Sequence, residues 1–335
     1  MTENKKTERI AGLDLIKILA CFGVVALHTL RPGAGPVHRI LMLLSALSIP
    51  LFFMVSGYLM FQRKSFDCKY AIGKILRILA ICFCWEFLHA AAYRIYYGEN
   101  RDFISSFFLD FFQKGLFYHF WYLGALILVY SVMPLIFTLA KKSPGGCRIL
   151  LLILCGINLI LSAAQLLAQR QFLLDIPQNL RIWIWLLYTV AGGCLSLSTG
   201  RTHSHPCRVW ACCIFPVLMV GYLALVGKTV FGSTVIESMY GSLFVQLAAM
   251  SAFLCLSRIS FSEKATAALT SLAGLTMGIY IVHPFLLAIL QKFIPAFVQG
   301  SSQMNLLFWI TTLFVSAAAA LVIRKMPLIR LLIRL

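Results

Sequence analysis

Residues 10–30 read IAGLDLIKILACFGVVALHTL, a run of 21 residues whose ionisable members are Asp14, Lys17 and His28. As a helix rising about 1.5 Å per residue, such a run spans a hydrocarbon core about 30 Å thick. Nine comparable runs follow. They are expected at Ile40–Phe61, Ile75–Tyr97, Phe120–Ala140, Ile149–Ala168, Ile182–Ser198, Val209–Val226, Met239–Leu256, Ala267–Leu290 and Leu306–Ile323. A chain that is 61% hydrophobic and 12% charged, with a mean hydropathy of +0.89, cannot hide that surface in a water-soluble fold. The reading is an all-α, polytopic integral membrane helix bundle of about ten transmembrane helices, taken as a single domain over 1–335.

The net charge of +18 would suggest nucleic acid in a soluble protein, so the placement of the basic residues decides its meaning. With ten spans and a cytoplasmic N-terminus, 19 Lys and Arg fall on the cytoplasmic side and 9 outside, with Lys17 inside a helix. That asymmetry follows the positive-inside rule, so both chain ends are expected in the cytoplasm and no nucleic-acid partner is expected. The basic tail 324–335 reads as a contact with anionic membrane lipids. The polar start, Met1–Arg9, precedes a span too long for a signal-peptide core, and no cleaved leader is expected. Most of the 11 cysteines lie in apolar spans and none forms a C-x-x-C pair, so they read as small packing residues, with no metal expected.

Ionisable groups within a membrane helix are costly and mark function by default. Along the first span, Lys17 and His28 are eleven residues apart, which leaves them within about 20° on one face and about 16 Å apart along the axis. Asp14 falls near the same face. One polar stripe therefore runs from the inner half to the outer end. The alternative is structural, with Asp14 and Lys17 pairing and His28 hydrogen-bonding at the interface. A histidine is suited to taking a proton from a hydroxyl near neutral pH. In the third span Glu86 and His89 are an i, i+3 pair that either orients a substrate or satisfies itself. His119 lies in an aromatic cluster with Trp121 and Tyr122, which reads as an interfacial belt or as a surface on which sugars pack. The connection Gly98–His119 carries Phe103, Phe107, Phe108, Phe111 and Phe112, a spacing that predicts a short helix lying against the bundle.

Lys17, ten intervening residues and His28 together resemble the acyltransferase-3 family of membrane acyltransferases. The resemblance continues through Ile49-Pro-Leu-Phe-Phe-Met-Val-Ser-Gly-Tyr-Leu59, Lys74-x-x-Arg77, Phe117-Tyr-His-Phe-Trp-Tyr122 and Gly278-Ile-Tyr-Ile-Val-His-Pro284. From 141 to 237 only the hydropathy matches. The family's basic position is Arg in many members and Lys17 here, which keeps the charge but not the planar fork.

The resemblance implies that His28 is the catalytic histidine and Lys17, beside Asp14, the basic member of its motif. It also implies that Lys74 and Arg77, with Arg63, Lys64 and Lys69 nearby, hold the phosphates of an acyl-coenzyme A; their other reading is topology alone. Acetyl-coenzyme A is the expected donor, without a metal. The expected acceptor is an envelope glycan or lipid-linked sugar, met by Glu86, His119, Trp121, Tyr122 and His283. The implied location is the bacterial inner membrane. The alternative is a transport module, because membrane halves resembling this family occur in the serine racemases of vancomycin resistance.

Overall fold

The computed structural model describes residues 10–99, 102–197, 206–232, 236–327 and 329–333. The polar N-terminal segment and the last two residues, on which the expected cytoplasmic ends rest, lie outside these. Among the described residues every regular element is a helix. In chain order they are α1 (Ala11–Thr29), α2 (Pro36–Leu44), α3 (Ser48–Phe61), α4 (Cys68–Tyr97), α5 (Phe103–Phe111), α6 (Trp121–Lys142) and α7 (Pro144–Leu167). The second half holds α8 (Ile182–Leu197), α9 (Pro206–Thr229), α10 (Leu243–Leu256), α11 (Glu263–Ala273), α12 (Thr276–Phe293), α13 (Ala296–Gln299) and α14 (Ser302–Lys325).

Among the described residues eight helical segments are long and apolar enough to cross a membrane, and α8 and α10 are two further, shorter apolar helices. The outer helices turn large apolar side chains outward, such as Leu76 and Phe87 on α4, Leu152 and Ile160 on α7, Val217 on α9 and Phe314 on α14. Water would not tolerate so much contiguous apolar surface, whereas lipid does, and helices keep their backbone hydrogen bonds internal. The protein is a multi-pass membrane helix bundle.

Small residues set the closest helix crossings, because apolar side chains gain little from leaving lipid and close packing takes over. The α3–α8 contact is the most extensive in the bundle. There a Cβ on Gly57 would come within 1.8 Å of the Thr189 carbonyl oxygen, and one on Gly192 within 1.9 Å of that of Met54. Gly23 similarly lets α1 approach Ser48 at the start of α3.

Two expected spans are broken. The second is divided into α2 and α3 by a 3₁₀ turn at Ser45–Leu47. Pro50 offers no N–H to the carbonyl of Ala46 and its ring crowds that carbonyl, so a straight helix cannot pass. The ninth is divided into α11 and α12 around Gly274-Leu275. The α11 sequence is amphipathic and weakly apolar, and the helix lies against α1 rather than continuing α12. At α4 the helix begins at Cys68, ahead of the expected Ile75, because the Asp67 carboxylate caps the Tyr70 N–H at 2.8 Å. The predicted aromatic helix is α5, whose Phe103 and Phe107 rings meet Phe83 of α4 at 4.9 and 5.9 Å.

Candidate active site

Helix α1 separates two cavities, one at each end, and both lie in its groove with α3. The outer cavity, about 250 Å³, is lined by His28, His119, Trp121, Tyr122, Tyr280 and Glu237 among others. The inner one, about 760 Å³, is lined by Asp14, Lys17, Tyr58, Gln62, Arg63 and Lys64. Between the two ends, Ile16 and Ala20 on α1 and Met54 on α3 are buried.

His28 sits one residue from the end of α1, and that end is clasped by α14. The side-chain amide of Asn305 donates to the Thr29 carbonyl at 2.9 Å, and its oxygen accepts from the Arg31 N–H at 3.0 Å. The imidazole itself is half-buried, with Nδ1 3.2 Å from the Tyr118 hydroxyl. Its ring centroid lies 5.2 Å from that of Tyr118 and 5.4 Å from that of His283.

The His283-Pro284 pair explains itself through the backbone. Pro284 has no N–H for the carbonyl of Tyr280, four residues earlier in α12. The Nδ1 of His283 takes the vacated acceptor at 2.9 Å and also reaches the Ile279 carbonyl at 3.1 Å. A carbonyl only accepts, so Nδ1 carries the proton and Nε2 of the neutral ring is left as an acceptor. That Nε2 is buried without a hydrogen-bond partner among the described residues. The ring meets His119 at 5.3 Å, and the Tyr280 hydroxyl donates to the His119 carbonyl. Both ring nitrogens of His119 are likewise buried and unpartnered among the described residues. Three imidazoles thus adjoin one another, from α1, α12 and the turn before α6. Among the described residues no set of three His, Cys, Asp or Glu side chains is placed to hold a metal ion.

Asp14 and Lys17 stand at the other end of α1. The Lys17 ammonium donates to Asp14 at 3.2 Å, and the second Asp14 oxygen accepts from the Thr270 hydroxyl at 3.2 Å, tying α1 to α11. Asp14 is buried, whereas Lys17 keeps a quarter of its side chain exposed towards the inner cavity. Neither lines the His28 cavity. Arg63 and Lys64 line the inner one, and Arg63 stacks on the Tyr70 ring at 3.8 Å. Lys74, on α4, approaches the same ring at 5.8 Å, and Arg77 is exposed one turn further on. Arg63 and Lys74 thus meet at the Tyr70 ring, Arg77 lies close enough to Lys74 to repel its charge, and Arg63 and Lys64 reach the cavity.

Glu86 and His89 face each other at 3.5 Å, and Phe117 stands between them and His119, 5.7 Å from His89 and 5.9 Å from His119. His89 lines a separate apolar cavity of about 270 Å³ bounded by α4, α12 and α14. Glu86 is thus one aromatic layer away from the His28 cavity and does not line it. Sequence reading passed over the polar lining residues Gln178, Glu237, Tyr240 and Tyr280, and Tyr118, which touches His28 without lining the cavity. For Glu237 a signal existed, as a lone carboxylate just ahead of an apolar run, but in the stretch matched by hydropathy alone it carried no motif.

Residues 10–325 match the Acyltransferase domain family. An amino-acid racemase of Enterococcus faecalis is 24% identical over 342 residues, covering 95% of this chain and 47% of that protein. The chain spans about half the length of that relative. No solved structure matches it.

Proposed function

This chain belongs to the Acyltransferase domain family, and we propose that it is a membrane acyltransferase that moves an acetyl group from cytoplasmic acetyl-coenzyme A to a hydroxyl of an envelope glycan or lipid-linked saccharide. The observation that carries the reading is the His28 imidazole on the outer cavity, with Nδ1 against the Tyr118 hydroxyl. If Nδ1–H donates to the Tyr118 oxygen, Nε2 is the unprotonated nitrogen and can accept a proton from an acceptor hydroxyl. The freed oxygen attacks the acetyl carbonyl carbon, the carbon–sulfur bond breaks, and His28 returns its proton to the departing sulfur.

The donor side fits a polyanion. Lys17, Arg63 and Lys64 line a cavity at the opposite end of α1, and Lys74 and Arg77 extend the charge along α4. Phosphates bound there would gain charge-assisted hydrogen bonds. The bound thioester supplies an activated acetyl group, and its arm has to cross the Ile16–Ala20 stretch to reach His28. In this arrangement the basic cluster faces the cytoplasm of the inner membrane and His28 faces outward. A likeness of the quoted motifs to the enterobacterial common antigen O-acetyltransferase is the reason for proposing a saccharide acceptor.

Purified protein in lipid, given acetyl-coenzyme A and envelope saccharide, is expected to release coenzyme A thiol and form an alkali-labile acetyl ester in equal amounts. A transport module would produce neither.

A further inference from the structure

The outer cavity holds a carboxylate that acyl transfer, as derived above, does not use. Glu237 lies in the short 3₁₀ turn Ile236–Ser238, half-buried and lining the same cavity as His28. It is built in rather than dangling. Its Oε2 accepts from the Gln113 amide at 3.4 Å, and its backbone carbonyl accepts from the buried Arg181 at 2.6 Å. The Gln113 oxygen in turn accepts from the Gln178 N–H at 3.4 Å, which links the two elements that carry Glu237 and Gln178. Gln178 also lines the cavity, is 1% exposed, and has a side-chain oxygen without a partner among the described residues.

The lining is rich in acceptors. A guest there meets the Glu237 carboxylate, the Gln178 oxygen and the His119 ring, one nitrogen of which accepts, beside the rings of Trp121 and Tyr240. No Lys or Arg is among the described lining residues. An ionised carboxylate only accepts hydrogen bonds, so it needs a ligand that brings several O–H or N–H groups. The buried Arg181 beside the Glu237 backbone offsets part of that charge but lines no part of the cavity, so a guest carboxylate, which also only accepts, would face Glu237 without a donor between them. The size agrees, since a cavity of about 150 Å³ admits benzene and this one, at about 250 Å³, admits a substituted six-membered ring.

We propose that Glu237 and Gln178 form the hydroxyl-recognising pair of the acceptor site, and that the ring they hold beside His28 is an uncharged pyranoside rather than a uronic acid or a phosphorylated sugar. This rests on the acyl-transfer reading for the identity of the reacting group, but its test does not require turnover. Glu237 is a positioning residue here.

The experiment is equilibrium binding to the purified full-length protein in detergent, followed by saturation-transfer NMR, with N-acetylglucosamine as the neutral probe and glucuronate as the anionic one. The wild type is expected to bind the neutral probe at least about tenfold more tightly. Glu237→Gln, which keeps the shape and one oxygen, is expected to weaken the neutral probe and to bring glucuronate level with it. Gln178→Met should weaken the neutral probe while leaving glucuronate excluded, and it serves as the deciding variant if Glu237→Gln does not fold. Equal binding of both probes by the wild type, or an unchanged preference in Glu237→Gln, overturns the proposal even where acetyl transfer is measured. Absence of neutral binding by the wild type overturns it too. Loss of the acyl-transfer reading would show separately, as no thiol release from acetyl-coenzyme A.

Discussion

At His28 two contacts set the chemistry, one on each side of the ring. Tyr118 holds Nδ1 and His283 flanks the face, so removing the Tyr118 hydroxyl should loosen orientation without touching donor binding. Tyr118→Phe is expected to lower kcat about tenfold, the worth of one hydrogen bond of ordinary strength, with the acetyl-coenzyme A KM unchanged in steady-state assays. The opposite split is expected at the basic cluster. Lys74→Gln with Arg77→Gln should raise the donor KM and leave the acceptor KM in place, since each charge-assisted bond lost is worth roughly 1.5–3 kcal/mol. An unchanged donor KM would reduce both residues to topology. The stripe of Asp14, Lys17 and His28 was legible because charge inside an apolar run is rare. Glu237 and Gln178 were not, because they enter the cavity from connections whose path depends on packing elsewhere.

Among the elements, α12 carries the clearest trade between fold and site. Pro284 withholds a backbone donor, and His283 fills the gap. Pro284→Ala restores the missing N–H and removes the reason for the His283 ring to point back at its own helix. The variant is expected to hold or raise its thermal midpoint while kcat falls, measured on the same detergent-solubilised preparation. A drop in stability with kcat intact would contradict this account of the His-Pro step. The long apolar helices were legible from hydropathy alone, which reports length and composition. The breaks in the second and ninth spans were harder. Pro50 gives a reason for the first, but the split at Gly274-Leu275 comes from α11 docking on α1, a tertiary preference that no local window contains.

For the molecule as a whole, two cavities lie at opposite ends of α1, and the proposed reaction would bring donor and acceptor to them from opposite sides of the membrane. The loop charges of 19 against 9 predict the basic cluster inside and His28 outside. Reporter fusions after residue 115 and after residue 335 should read outside and inside, respectively; an outside signal at residue 335 would remove the ten-span arrangement. The bundle and its apolar helices were thus readable from composition and periodicity, and the charges within the first helix stood out in the same reading. The enclosure of the outer cavity by the turns around Gln178 and Glu237 was readable only once the chain was folded.

The central claim is that His28 moves the proton in acyl transfer. Its most direct test is acetyl transfer by His28→Ala protein reconstituted in liposomes beside the wild type, with insertion verified by protease protection and acceptor-dependent thiol release as the readout. A neutral imidazole at a helix end contributes little to insertion, whereas loss of a positioned base typically costs about 10² to 10⁴-fold in rate. The account predicts a normally inserted protein whose transfer rate falls by that range. Transfer at the wild-type rate by correctly inserted His28→Ala protein would contradict it.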